Sequence, residues 1–79
     1  MRNKKTKLTR KFGMKVRLER AKRRLSQEAL AEMADLNKKT ICAIEAGTTT
    51  PSLETANDIA NAFQIPLHEF LNNIEKIEI

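Results

Sequence analysis

Between Gln27 and Ile44 the apolar residues fall at Leu30, Ala31, Ala34, Leu36, Ile41 and Ile44. Leu30, Ala31 and Ala34 keep a helical period, "DLN" interrupts it, and Ile41 and Ile44 resume it in a new phase. The spacing predicts two short helices crossing closely over a tight turn. Ala31 is small where the backbones approach, Leu36 fills the corner, and the two isoleucines seat the second helix against a core. The turn residues fit this picture, because Asp35 visits the left-handed region more easily than most residues and Asn37 caps the helix that follows.

The same signals divide the rest of the chain. Ser26 stands before "QEALAEMA" and Ser52 before "LETANDIANAF", each placed to accept hydrogen bonds from first-turn N–H groups. Gly47 offers a left-handed stop to "KKTICAIEA". Leu53, Ala56, Ile59, Ala60 and Phe63 form the clearest apolar stripe, and Pro66 fits the first turn of a last helix carrying Leu67, Phe70 and Leu71 inward. Before Ser26, "FGMKVRLERAKRRL" reads as a helix with an ambiguous buried face: Met14, Leu18, Ala21 and Leu25 share one stripe, whereas Phe12 and Val16 lie nearly opposite. "NNIEKIEI" suits either a helical extension or a strand. The expected organisation is all-α, with a flexible basic arm over 1–9, a five-helix domain over 10–71 and a C-terminal tail over 72–79.

Charge narrows the function. Residues 1–25 hold twelve Lys or Arg against Glu19 alone, and the remainder holds three against nine acids, giving +11 followed by −6. A basic segment joined to an acidic body is the electrostatic footprint of a nucleic-acid binder or of a protein that touches an anionic membrane surface; a solvated tail is the plainer alternative. No apolar run approaches the roughly 18 residues of a membrane span. "MRNKKTKLTR" lacks the apolar segment of an export signal, so a soluble cytoplasmic protein of one domain is expected. The single cysteine, Cys42, has no metal-ligand spacing around it, and His68 has no nucleophile or second histidine placed to work with it. The expectation is therefore no enzymatic activity, no metal, no cofactor and no small-molecule ligand.

Lys38 and Lys39 occupy the first turn of the helix after Asn37, where the helix dipole disfavours cations by about 0.3–1 kcal/mol each. An ordinary helical hairpin explains the apolar residues but gives no reason for Lys38, Lys39 and Thr40 on the open side. A helix-turn-helix does, since lysine donates to guanine O6 and N7 in the major groove and DNA offsets the dipole cost.

The stretches "LSQEALAEMADLNKKTICAIEAG" and "PSLETANDIANAFQIPLHEFL" resemble the phage repressor and Cro type of regulator, the XRE family, over roughly residues 12–71. Restriction-modification controllers and antitoxins are among its small relatives. The resemblance implies a repressor-like five-helix DNA-binding domain whose third helix lies in the major groove of double-stranded DNA, acting as a homodimer on a palindromic operator. It implies a phosphate contact at Gln27, base-edge contacts at Lys38, Lys39 and Ala43, and a partly buried ion pair between Arg20 and Glu45. Two positions depart from the family pattern. Asp35 stands where glycine is usual, and Ala46 stands where Asn, Lys or Arg often contacts a phosphate, leaving Thr48, Thr49 and Thr50 as substitute donors. Asn37 belongs to the same DNA-facing set. Cys42 is lateral to that face and reads as a small filler, with a DNA-edge contact or a redox role as alternatives.

The residues expected to join two copies are Phe70, Leu71, Ile74 and Ile77, which continue beyond the last position needed to close the core; the alternative is that this tail folds back to cap its own domain. Two functions from different classes fit: a dimeric sequence-specific transcriptional regulator, or an antitoxin-type interaction module that neutralises a partner and binds DNA secondarily. The first is preferred on the expectation that a neutralising extension would stand beyond residue 79. The basic arm is expected to wrap the duplex or enter its minor groove.

Overall fold

The computed structural model describes residues 7–78, which form five helices and no strand: α1 Lys7–Lys22, α2 Gln27–Ala34, α3 Lys38–Ala46, α4 Leu53–Ala62 and α5 Leu67–Ile74. The expected all-α architecture is what the chain adopts. Three of the starts are capped by the residues expected to cap them. Ser26 Oγ accepts from Ala29 N at 2.9 Å, Asn37 Oδ1 from Lys39 N at 2.8 Å and Ser52 Oγ from Thr55 N at 3.0 Å. The α2–α3 turn closes through Asp35 at φ 58°, and α3 stops at Gly47 at φ 75°. Arg24 and Gln64 also adopt positive φ, after α1 and α4, at positions without a glycine to signal them. Pro66 caps α5 rather than standing inside its first turn.

Helix α1 settles the ambiguity of its two faces. Phe12 and Val16 are buried, whereas Leu18 is 50% exposed and Ala21 is also exposed. Gly13 explains the choice. A Cβ placed there would collide with the Ile44 carbonyl, so only glycine lets α1 approach α3 this closely, and that approach turns Phe12 and Val16 inward. Phe12 meets Phe70 edge-on at 5.3 Å between ring centroids, and Phe63 stacks on Phe70 at 6.2 Å. Leu30, Ile41, Ile44, Ile59 and Ile74 complete a core drawn from all five helices.

Two boundaries differ from expectation. Helix α1 begins at Lys7 and Thr9 is buried, so residues 7–9 belong to the domain and not to the arm; residues 1–6 of that arm lie outside the described residues. The tail forms no strand. It ends α5 at Ile74, turns, and lays Ile77 partly buried against the core. Phe70 and Ile74 are fully buried within their own domain, which corrects their assignment to a dimer interface. Both side chains pack into the core of their own domain, so neither offers appreciable area to a second copy. Leu71 and Ile77 remain partly accessible.

Candidate nucleic-acid interface

Helix α3 is anchored through Ile41 and Ile44, and its opposite side is open. Lys38 and Lys39 are exposed in the first turn, with Thr40 and Ala43 half-buried beside them. Asn37 is exposed and caps α3, holding the N-terminus that presents both lysines. Residues 39 and 43 stand one helical turn apart, so a long donor and a small apolar side chain share a face. A major groove about 12 Å wide admits one such helix.

The base of this surface is a connected polar network. Arg20 Nε and Nη2 donate to the two oxygens of Glu45 at 2.8 and 3.0 Å, and Arg20 Nη1 donates to the Leu25 carbonyl at 2.8 Å. Glu45 keeps only 4% of its side chain exposed. Its hydrogen bonds to Arg20 hold the guanidinium more firmly charged than an ordinary arginine against the opposing effect of burial. Gln27 Nε2 donates to Glu45 Oε1 at 3.0 Å, and the Cys42 thiol donates to Gln27 Oε1 at 3.0 Å. One carboxylate thus ties α1, the start of α2 and α3 together. One Nε2 proton of Gln27 is engaged in this network, and the second stands beside the backbone N–H groups that open α2.

Thr48 is placed differently from expectation. Its backbone N–H and its hydroxyl both donate to the Ala43 carbonyl, at 3.1 and 3.2 Å, so it closes the end of α3 rather than offering donors outward. Thr49 is half-buried, and Thr50 Oγ1 lies 3.1 Å from Thr9 Oγ1, joining the α3–α4 loop to α1. His68 is exposed on α5. Among the described residues no group of three or more His, Cys, Asp or Glu converges as metal ligands, and no helix is long and apolar enough to cross a membrane.

The basic segment is less free than its composition suggests. Glu19, the lone acid among residues 1–25, is 3% exposed and receives Lys15 at 2.6 Å, Lys22 at 3.4 Å and Arg23. Burial pushes the Glu19 carboxyl up, but hydrogen bonds from Lys15 and Arg23 outweigh it and hold the group at about 2. Arg23 also donates to the Phe63 carbonyl at 3.0 Å and lies over the Phe63 ring, 4.8 Å from its centroid. With Arg20 on Glu45, three cations of α1 and Arg23 just beyond its end are paired within the domain. Arg10 and Arg17 are not: both border the C-terminal end of α3, beside Met14, Glu45, Ala46 and Gly47. The signal for them lies in their separation of seven residues, which puts them on one face of α1.

A family model described as helix-turn-helix matches residues 16–70. The chain is 36% identical over 64 residues to the cryptic phage CTXphi transcriptional repressor RstR of Vibrio cholerae, a match covering 81% of this chain but 58% of that protein. Among solved structures it is similar to the restriction-modification controller protein C.AhdI from Aeromonas hydrophila, with a TM-score of 0.74 and 32% identity, covering 78% of this chain and 94% of that one. The wild-type controller protein C.Esp1396I superposes with a TM-score of 0.79 over 94% of this chain and 99% of its own, and at 18% identity it speaks to the fold alone.

Proposed function

The chain belongs to the helix-turn-helix family, and from that premise we propose that it is a sequence-specific, double-stranded-DNA-binding transcriptional regulator that acts as a homodimer on a palindromic operator. The observation that carries this reading is the exposed first turn of α3. Two lysines stand there against the helix dipole, on a helix whose other face is fixed by Ile41 and Ile44 and whose base is clamped by Glu45. Such a helix is rigid enough to hold donors in register with base edges. Lys39 and Lys38 read the bases, Ala43 rests against a thymine methyl, and the start of α2 receives a phosphate. The work is binding rather than catalysis, and it takes place where the cell's DNA is, in the cytoplasm.

A single module contacts few base pairs, which is why such proteins present two recognition helices one DNA turn apart. The surface suited to a second copy is the apolar groove between the start of α1, the α3–α4 loop and α5. Leu53 is 76% and Leu8 51% exposed on its rim, with Pro51 and Leu71 lining it. Of the expected set Phe70, Leu71, Ile74 and Ile77, this surface keeps Leu71 and Ile74 in its lining and adds Leu8, Pro51 and Leu53.

Selection of bound duplexes from a random library tests the reading. Two inverted half-sites with centres about 10 base pairs apart are expected. A failure to enrich any sequence overturns it, and Leu53→Lys is expected to leave a folded monomer that binds a single half-site weakly.

A further inference from the structure

Ala46 ends the recognition helix with a methyl group, and the space beside it is open. Met14 and Gly47 line the same cleft, flanked by Arg10 and Arg17 from α1. Arg17 also lines the adjoining cleft with Gln27, Cys42 and Glu45, so it stands between the two. The Arg10 stem crosses Gly47 closely enough that a Cβ there would come within 3.2 Å of Arg10 Cγ. Among the described residues neither arginine forms an ion pair or a side-chain hydrogen bond, in contrast to Lys15, Arg20 and Lys22 on the same helix and Arg23 just beyond it. The one carboxylate in the cleft, Glu45, is already bound by Arg20 and Gln27.

We propose that Arg10 and Arg17 form a backbone-phosphate site at the C-terminal end of the recognition helix, with α1 supplying the cations that Ala46 does not. The proposal rests on the regulator reading and extends it from α3 to α1. Seven residues of helix rise about 10 Å, and phosphates follow one another at roughly 3.4 Å of rise along one strand. Two guanidiniums at that separation therefore address different phosphates of one strand as it passes the end of α3. Arginine suits the task because its planar fork binds phosphate oxygens in pairs. Contacts of this kind carry no base information. They fix how the recognition helix lies in the groove, and their energy depends on salt.

The test compares Arg10→Ala, Arg17→Ala and Lys22→Ala in the full chain, titrated against a duplex selected by the wild-type protein and against a random duplex of equal length, over a range of salt. Each lost phosphate contact flattens the plot of log K against log salt by about 0.9, or about 1.8 for two protomers. Each arginine variant is expected to show that change on both duplexes, with affinity at 0.1 M salt lowered between about tenfold and about a hundredfold. Lys22→Ala, on the opposite face of α1 against Glu19, is expected to leave the slope unchanged. Ala46→Lys placed in the Arg17→Ala background returns a cation to the same cleft from α3 and is expected to restore the slope. Circular dichroism separates loss of fold from loss of contact. Arginine variants with the wild-type slope, or a slope lost equally in Lys22→Ala, overturn the phosphate site while leaving the regulator reading intact. A wild-type protein that binds neither duplex overturns both.

Discussion

Two faces of the C-terminal half of α1 solve one electrostatic problem in different ways. Around Glu19, where α1 meets α4 and α5, a buried carboxylate gathers three cations, one of which also clasps the Phe63 carbonyl and ring. Around Glu45, where α1 meets α2 and α3, an equally buried carboxylate has one cation and completes its shell with the neutral amide of Gln27. The Glu19 face is saturated. The Glu45 face ties together the three helices of the proposed DNA surface, and Arg10 and Arg17 beside it form no ion pair among the described residues. A helix with nearly uniform positive charge is thereby divided into a structural face and a face available to a partner, which net charge alone does not reveal.

Removing each carboxylate should break that comparison most visibly. Glu45→Ala strands Arg20 in a mostly buried site and releases Gln27, and loss of one partner of a buried pair costs about 3–5 kcal/mol. Its unfolding midpoint in urea should fall markedly, and at temperatures where the variant is still folded its affinity for the selected duplex should fall too. A double-mutant cycle with Arg20→Ala should show coupling above about 1 kcal/mol; additive effects would mean that the pair is incidental. Glu19→Gln should destabilise to a similar degree, yet the folded molecules should bind DNA as wild type does. If the two variants affect binding alike, the division into two faces is wrong.

Acid distinguishes the carboxylates on a slightly smaller scale. The Glu19 carboxyl is held at about 2 in the folded chain against 4.5 ordinarily, so the unfolded state binds the proton more tightly. The stabilisation is fully present above pH 4.5 and is lost as pH falls from there towards 2, on the order of 3 kcal/mol in all. Urea unfolding measured across that window should show the loss in the wild type and little of it in Glu19→Gln.

The recognition face comes next in magnitude. Lys39→Ala should cost about 1–3 kcal/mol on the selected duplex and relax base preference at one position per half-site. Its folding stability should stay near that of the wild type, since Lys39 is exposed at the start of α3. Re-selection of bound duplexes with the variant measures the preference directly. An unchanged preference would place base reading on other residues. The smallest effect is expected at the turn: Asp35 pays for its φ of 58°, and Asp35→Gly should raise stability by about 0.5–1 kcal/mol without altering binding.

These contrasts also mark where the amino-acid order was legible. Caps and periodicity are local, so Ser26, Asn37 and Ser52 announced three helix starts and Gly47 one stop. The face of α1 was not local. Met14 and Leu18 are as apolar as Phe12 and Val16, and the choice depends on Gly13 meeting a carbonyl of α3 thirty-one residues away. Between a dimer surface and a tail folded back on its own domain, the choice was open for a related reason. Whether Phe70 and Ile74 close a core or leave it depends on how much space four other helices enclose, a quantity no stretch of sequence carries. Glu19 offered a signal, since a lone acid among twelve cations is well placed to be a hub, but its burial follows only from the packing of α1. Thr48 was expected to stand in for the phosphate contact that Ala46 lacks; its N–H and hydroxyl both donate to the Ala43 carbonyl, a pairing set by how the chain turns after Gly47.

The central claim is that a fixed α3 reads bases while cations around it hold phosphates, and paired salt titrations test it most directly. The selected duplex and a scrambled duplex of the same length are titrated with wild-type protein between 50 and 200 mM salt, roughly the range over which phosphate contacts change affinity most measurably. Both plots of log K against log salt should have slopes of roughly −4 to −7, as about 5 to 8 neutralised phosphates per dimer require, and the selected duplex should bind about a thousandfold or more tightly throughout. Slopes near zero, or equal affinity for the two duplexes, would contradict the account.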